Sequence, residues 1–319
     1  STMALTRART TKNRTIGIKL EATDGTYLAP TGAEAAFIAK DPSIKIVKGD
    51  KAFEVVMAQG SAASSRSVPG LRMAEVKLST HLVNSGVAAT PPAVMNMLLC
   101  AGFKGTGTNS KTLLPLGPTD AGQTCSAAMW MDGRLKAAAG TSFTWKITGE
   151  VGKPVLVELN GRGVVKTDPV DAAMVYGAAP ADLPPILVNA ALSVGGTTLC
   201  VPGFEIEGGG TVVPRLCANE ASGVRSCQYI PGITTVKLKP DADLLAVKDW
   251  FAAFKAATEM AFTVTIGSVT DKKVVITAPA LQLTSDPDEE DDNGLMRDAL
   301  EFQANATSSG NDQIQIQFS

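Results

Sequence analysis

A single histidine, His81, stands in a chain of 319 residues. That scarcity excludes a multi-histidine metal site, and any Ser/His/Asp arrangement would have to use His81 itself. No GxSxG elbow is present to supply its serine. His81 follows a strand-like run and is read as a structural residue at a strand end. Aromatic residues make up only 5% of the chain, with three Tyr and three Trp. Basic residues are not interleaved with them, so stacking platforms for single-stranded nucleic acid are missing. The five cysteines, Cys100, Cys125, Cys200, Cys217 and Cys227, form no CxxC pair. Their odd number and scattered spacing argue against a disulfide framework and for reduced thiols. No apolar run approaches the roughly 18 residues of a membrane span, and no signal-peptide core opens the sequence. A soluble protein made in the cytoplasm is expected, with no membrane partner.

What is plentiful is small or β-branched. Hydrophobic residues reach 45%, enough for a sizeable core, in one large or two medium domains. The net charge of −2 gives no global attraction to nucleic acid. The charge is nevertheless uneven. Arg7, Arg9, Lys12, Arg14 and Lys19 crowd the first twenty residues without an acid, and Asp286, Asp288, Glu289, Glu290, Asp291 and Asp292 follow one another without a base. Both are solvated segments on the simplest view. The basic stretch could touch phosphates, or form an arm that reaches a neighbouring subunit.

Short strands broken by turns dominate the pattern. "SIKIVK" (43–48), "AFEVVMA" (52–58) and "AEVKLST" (74–80) cluster β formers. "SAAMWM-DG-RLKAAAG" (126–140) places Asp132-Gly133 between two strand-like runs, a hairpin signature. Only two stretches predict helices. In 91–103, Thr90 is positioned to cap, Pro91 suits the first turn, Gly102 can end it, and Val94, Met97, Leu98 and Ala101 share a stripe. In 241–260, Asp241 or Asp243 can cap, and Leu244, Val247, Phe251, Phe254 and Thr258 trace the inward face. Residues 168–185 are rich in Ala and Pro without a period and read as a linker.

One pattern occurs twice. Arg66-Ser67-Val68-Pro69-Gly70-Leu71 precedes Val76-Lys77-Leu78, and Arg225-Ser226 with Ile230-Pro231-Gly232-Ile233 precedes Val236-Lys237-Leu238. The separation of Pro69 from Pro231 nearly equals that of Lys77 from Lys237. Each copy leads into a predicted helix and then a hairpin. The expectation is a duplicated β-rich unit: 1–167 with an N-terminal arm, a linker at 168–185, and 186–319.

Chemical motifs are weak. "GTGTNSKT" (105–112) has Ser110 where a phosphate loop needs its second glycine, and a helix precedes it instead of following. It is read as a surface loop. "EGGGT" (207–211) is read as a bulge or turn. The acidic run suggests calcium by composition, but Gly294 does not fall where an EF-hand loop needs its glycine. Paired glycosidase carboxylates come from separate scaffold positions, not from one run. A solvated hairpin tip and a charge role at an assembly surface are the two readings kept. No catalytic residue, cofactor or metal is assigned.

The order of elements resembles the major tail tube protein of long-tailed bacteriophages. The segments that carry the resemblance are "LSVGGTTLCVPGFEIEGGG" (192–210), "VKDWFAAFKAA" (247–257), "FTVTIGSVTDKKVVITAPALQLT" (262–284), "DDNGLMRDALEFQANAT" (291–307) and "GNDQIQIQFS" (310–319). "PPAVMNMLLCAGF" (91–103) and "MWMDGRLKAAAG" (129–140) look like the same family's helix and hairpin. The resemblance implies a mainly β fold of two tandem β-sandwich or barrel-like units, each with one flanking α-helix. It implies a structural, non-enzymatic subunit whose partner is itself. Two-unit members form trimeric rings with pseudo-sixfold symmetry, stacked into a tube. The tape-measure protein and double-stranded DNA pass through the lumen, and a tail terminator and distal tail proteins sit at the ends. The location implied is the virion tail, assembled in the host cytoplasm. Under this reading the acidic run serves ring stacking or lumen charge, and Arg7, Arg9, Lys12 and Arg14 make arm contacts. The alternative is a carbohydrate-binding or adhesive β-sandwich module on a phage surface, for which Trp130, Trp145 and Trp250 are the few available platforms.

Overall fold

Asp132 and Gly133 take up left-handed backbone conformations, φ 45° and 83°, and turn the chain back on itself as the sequence predicts. This geometry matches the twist of the strands it joins. In a computed structural model the protein is mainly antiparallel β. The structure describes residues 8–35, 37, 39–48, 53–54, 67–68, 70–87, 90–106, 111–165, 167–178, 183–308 and 310–319. Most of 52–58, together with Arg7, Pro69, 107–110 of the loop and 179–182 of the linker, lies outside them.

The first half contributes β1 (Arg14–Leu20), β2 (Ala39–Lys48), β3 (Phe53–Glu54), β4 (Ser67–Val68), β5 (Arg72–His81), α1 (Ala93–Leu99), β6 (Phe103–Gly105), β7 (Thr112–Pro115), β8 (Cys125–Met131), β9 (Arg134–Glu150), β10 (Leu156–Val164) and β11 (Val170–Asp171). The second contributes β12 (Ala191–Val194), β13 (Thr197–Thr198), β14 (Gly203–Glu207), β15 (Thr211–Leu216), β16 (Val224–Ile230), β17 (Thr235–Leu238), α2 (Trp250–Lys255), β18 (Met260–Ile266), β19 (Val274–Leu283), β20 (Asp288–Asp292), β21 (Leu295–Asn305) and β22 (Gln315–Phe318).

One ladder runs through both halves in the order β2, β5, β10, β9, β14, β17, β21, β19, β18, β12. The halves meet where β9 pairs with β14. They meet again where β22 pairs with β7. The near half of β9 pairs with β8 instead, and β8 in turn with β1. Period-two burial places Ala74, Val76, Leu78, Phe262, Val264, Phe302 and Phe318 in one continuous core. Within it the Phe103 and Trp145 rings lie 5.1 Å apart, and Trp250 meets Phe302 edge-on at 6.1 Å.

The ladder repeats in register. Val76 sits between Ile44 on β2 and Gly161 on β10. Val236 sits between Ile206 on β14 and Phe302 on β21. Leu78 faces Leu159 as Leu238 faces Leu300. Both following hairpins break register at the same place: Cys125 pairs with Thr141 and Ala127 with Ala138, and likewise Met260 with Leu281 and Phe262 with Ala278. Even a side-chain bond recurs. The Thr144 hydroxyl donates to the Asn160 carbonyl at 3.0 Å, and the Thr284 hydroxyl to the Glu301 carbonyl at 3.1 Å.

The helices are shorter than the sequence predicts. α1 starts after Pro92 with no side-chain cap, so Thr90 does not serve, and it ends at Cys100. Its predicted stripe of Val94, Met97, Leu98 and Ala101 is buried. The second helix shrinks to one and a half turns because the Asp249 carboxylate accepts from the Ala252 amide at 2.8 Å and caps it there. Its buried side is Trp250, with Ala253 and Phe254 partly buried, whereas Leu244 and Val247 are exposed. The described residues of the linker, and Leu187 just beyond it, lie against the first half. β11 pairs with the start of β9, Met174 and Val175 pack on Trp130, and Leu187 exchanges backbone bonds with Gly152 and Lys153.

Candidate assembly surface

The acidic run forms one arm of an exposed ribbon. β20 pairs with β21 around the Asn293-Gly294 turn, setting Asp288 opposite Ala299, Glu289 opposite Asp298 and Glu290 opposite Arg297. Alternation sends the side chains of Asp288, Glu290 and Asp292 to one face and those of Glu289 and Asp291 to the other. The first face is partly neutralised: Lys239 reaches Glu290 at 2.5 Å, and Arg297 holds Asp292 at 2.7 Å and Asp241 at 2.5 Å. The other sets two carboxyls directly across from each other, an unfavourable pair. Burial, then Glu289 and Asp243, push the Asp298 carboxyl above its ordinary range. Asp286 precedes the ribbon on the exposed surface.

The basic arm folds onto its own chain. Arg9 donates to Asp171 at 2.8 Å and Arg14 to Asp41 at 3.1 Å. The Thr10 amide donates to the Asp132 carboxylate at 2.8 Å, and the Lys12 amide to the Thr10 hydroxyl at 3.3 Å. These partners lie at the β8–β9 turn, on β11 and at the start of β2. The arm and the acidic run are therefore not partners within one chain.

The seam between the halves is built from residues the sequence did not single out. Across β9 and β14, Lys146 meets Glu205 at 2.9 Å. The hydrogen bond to Glu205 raises the Lys146 pKa, burial opposes it, and Glu207 and Glu158 add to it. The alternation of "FEIE" marks Glu205 and Glu207 as one face of a strand, but nothing local says which strand they meet. Nearby, Glu21 accepts from the Gly140 amide at 2.8 Å and from the Ser126 and Thr124 hydroxyls, both at 2.7 Å. Asp24 accepts from Arg215 at 2.7 Å and from Ser226 at 2.8 Å, which ties β15 and β16 to the first half. A cleft of about 700 Å³ opens beside them, lined by Asp24, Gly102, Gln123, Arg215 and Tyr229 among others.

The remaining chemical candidates stay apart. His81 ends β5 with Nδ1 buried and without a hydrogen-bond partner among the described residues. Among the described residues no three His, Cys, Asp or Glu groups are placed to hold a metal ion. No helix of the described residues is long and apolar enough to cross a membrane. Cys100, Cys125 and Cys227 are buried free thiols, Cys200 is exposed and Cys217 intermediate. No family model and no curated protein matches the chain.

Proposed function

We propose that the protein is the structural subunit of a bacteriophage tail tube, with two equivalent β units in each chain. The observation that carries this reading is the repeated ladder. The same strand order, the same pairing register and the same register break occur in both halves, as duplication of one unit would leave them. The sequence resemblance supplies the class, and three chains of two units each supply a six-unit ring. Such a ring hides sheet edges that otherwise invite uncontrolled association. Rings stack into a conduit for double-stranded DNA and the tape-measure protein in the virion tail, closed by terminator and distal tail proteins. A bore without a basic lining lets the genome slide, since phosphate contacts would hold it. Exposed Leu183, Leu244, Leu245 and Val247 are surface a larger assembly would cover.

Electron microscopy of the concentrated protein tests the reading. The expected result is hollow cylinders whose end-on views show six lobes, with a ring mass of three chains. Six chains per ring would overturn the two-unit arithmetic. Discrete monomers that bind glycans would favour an adhesive module.

A further inference from the structure

The seam inside the chain has a counterpart that one chain leaves open. β9 bonds to β10 on one edge, and over Lys146–Glu150 it bonds to β14 on the other. The second half holds an equivalent of that stretch. Gly161 and Phe302 occupy matching positions beside Val76 and Val236. Lys146 faces Glu158, three residues before Gly161, and Asp288 faces Ala299, three before Phe302. Thr148 faces Leu156 and Glu290 faces Arg297 by the same count. β20, Asp288–Asp292, therefore stands where Lys146–Glu150 stand.

β14 likewise has an equivalent. It pairs with β17 as β2 pairs with β5, so Glu205, Ile206 and Glu207 match Ser43, Ile44 and Lys45. β14 is bonded on both edges. Among the described residues β2 is bonded on one edge only, to β5, and β20 on one edge only, to β21. Among the described residues the first half thus presents an open strand, β2, and the second half the open edge of β20 that would receive such a strand.

We infer that β20 of one copy pairs antiparallel with β2 of a second copy, setting Asp288 against Lys45, Glu289 against Ile44 and Glu290 against Ser43. This is the register in which Lys146, Ile147 and Thr148 meet Glu207, Ile206 and Glu205 inside the chain. The inference rests on the equivalence of the two units proposed above. It also assigns the acidic run a position: side by side between chains, not end to end between rings.

Charge supports the pairing independently. Inside the chain the receiving strand is basic at Lys146 and the incoming strand acidic at Glu205 and Glu207. Between chains the signs reverse, with Asp288, Glu289 and Glu290 receiving and Lys45 arriving. The reversal discriminates. β2 brought to β9 would set Lys45 against Lys146, and β14 brought to β20 would set Glu207 against Asp288. Each wrong pairing is repulsive, so the two seams do not exchange strands. The length of the contact is limited as well. Asp41 at φ 47° and a register break between Lys40 and Ser43 end the flat part of β2, and Pro42 has no amide to donate.

The test uses the full chain and follows assembly by sedimentation and electron microscopy at fixed salt. Lys45→Glu and Asp288→Lys, each alone, should raise the concentration for half-assembly about tenfold or more. The double variant should return it close to the native value. Both positions are exposed, and unchanged melting temperatures of the monomers certify folding. A second arm joins Lys45→Cys with Asp288→Cys, because directly opposed antiparallel residues lie about 4.5–5.5 Å apart at Cα, within reach of a disulfide. Oxidation should give interchain-linked ladders, while either single cysteine variant gives none. Native-like tubes with no crosslink, or single charge variants that assemble normally, would overturn this pairing and leave the tube reading standing. Failure of the native chain to assemble at any concentration would remove both.

Discussion

Lys146 Nζ and Glu205 Oε1 lie 2.9 Å apart across the seam that joins β9 of the first half to β14 of the second. Both side chains keep about a third of their surface exposed, so solvent screens the pair and its own contribution is ~0.5–1 kcal/mol. Reversal is worse than removal, because Lys146→Glu confronts Glu205 and Glu207 together. A loss of ~1–2 kcal/mol is expected in urea unfolding, and Lys146→Glu combined with Glu205→Lys should recover most of it. A double variant no better than the sum of its parts would show that the two residues are not coupled.

Gly140 supports the same seam from the other side of β9. Its φ is 56°, and a Cβ there would stand 2.7 Å from Ser226 Cα, which is backbone and cannot swing away. Gly140→Ala should therefore cost about 2–3 kcal/mol, through strain and displacement of the amide that Glu21 holds. Chemical denaturation reads the change, and a shift below ~0.5 kcal/mol would mean that β16 docks less closely than described.

The thiols should divide by burial. Burial pushes Cys227 up to about 12 and Cys125 well above its ordinary value. The hydrogen bond that the Cys200 thiol donates to the neighbouring Asp241 carboxylate, more than any burial, raises Cys200 as well, yet Cys200 is exposed. With a thiol reagent at pH 8, Cys200 and Cys217 should react first. Cys100, Cys125 and Cys227 should react only at the rate of unfolding. Mass spectrometry of labelled peptides reports the order.

Acid should weaken the fold in a defined window. Burial alone would raise the Glu34 carboxyl, but hydrogen bonds from Thr31 and Lys19 outweigh it and hold the group at about 2. The hydrogen bond from Thr307 lowers Asp312, and that from Lys104 lowers Asp120. Groups depressed in the folded state stabilise it above their unfolded values, roughly pH 4, and lose that contribution as pH falls through the folded ones. The melting temperature should drop between about pH 4 and pH 2, and Glu34→Gln should flatten the drop. Asp298 works in the opposite direction. Its raised pKa costs stability at neutral pH, so Asp298→Asn should raise the melting temperature at pH 7.

Local patterns were legible where one short-range interaction decides the outcome. The Asp132-Gly133 turn, the inward stripe of α1 and the hairpin at the acidic tip all follow from neighbouring residues. Sequence spacing misplaced the second helix for the same kind of reason. Leu244 and Val247 have helical spacing, but the side chain of Asp249 offers its own cap to Ala252. The chain therefore enters the helix late and turns Trp250 inward instead. Within the repeat, the PG-VKL echo of Val76-Lys77-Leu78 and Val236-Lys237-Leu238 was visible because it is contiguous. The matching partner strands were not: Ser43-Ile44-Lys45 shares only its isoleucine with Glu205-Ile206-Glu207, Gly161 answers to Phe302, and all lie far along the chain.

The sequence by itself determined the class of structure, through period-two burial and left-handed turn residues whose preferences act over a few bonds. It also showed a short pattern, Pro-Gly followed by Val-Lys-Leu, occurring twice. Only the tertiary structure decided which strands become neighbours: β9 against β14, β22 against β7, Lys146 beside Glu205, with one edge of β2 and one of β20 left unpaired among the described residues. A strand's hydrogen-bonding edge is the same backbone whatever its residues, so its partner is chosen by packing and charge at long range, and those exist only once the chain has folded.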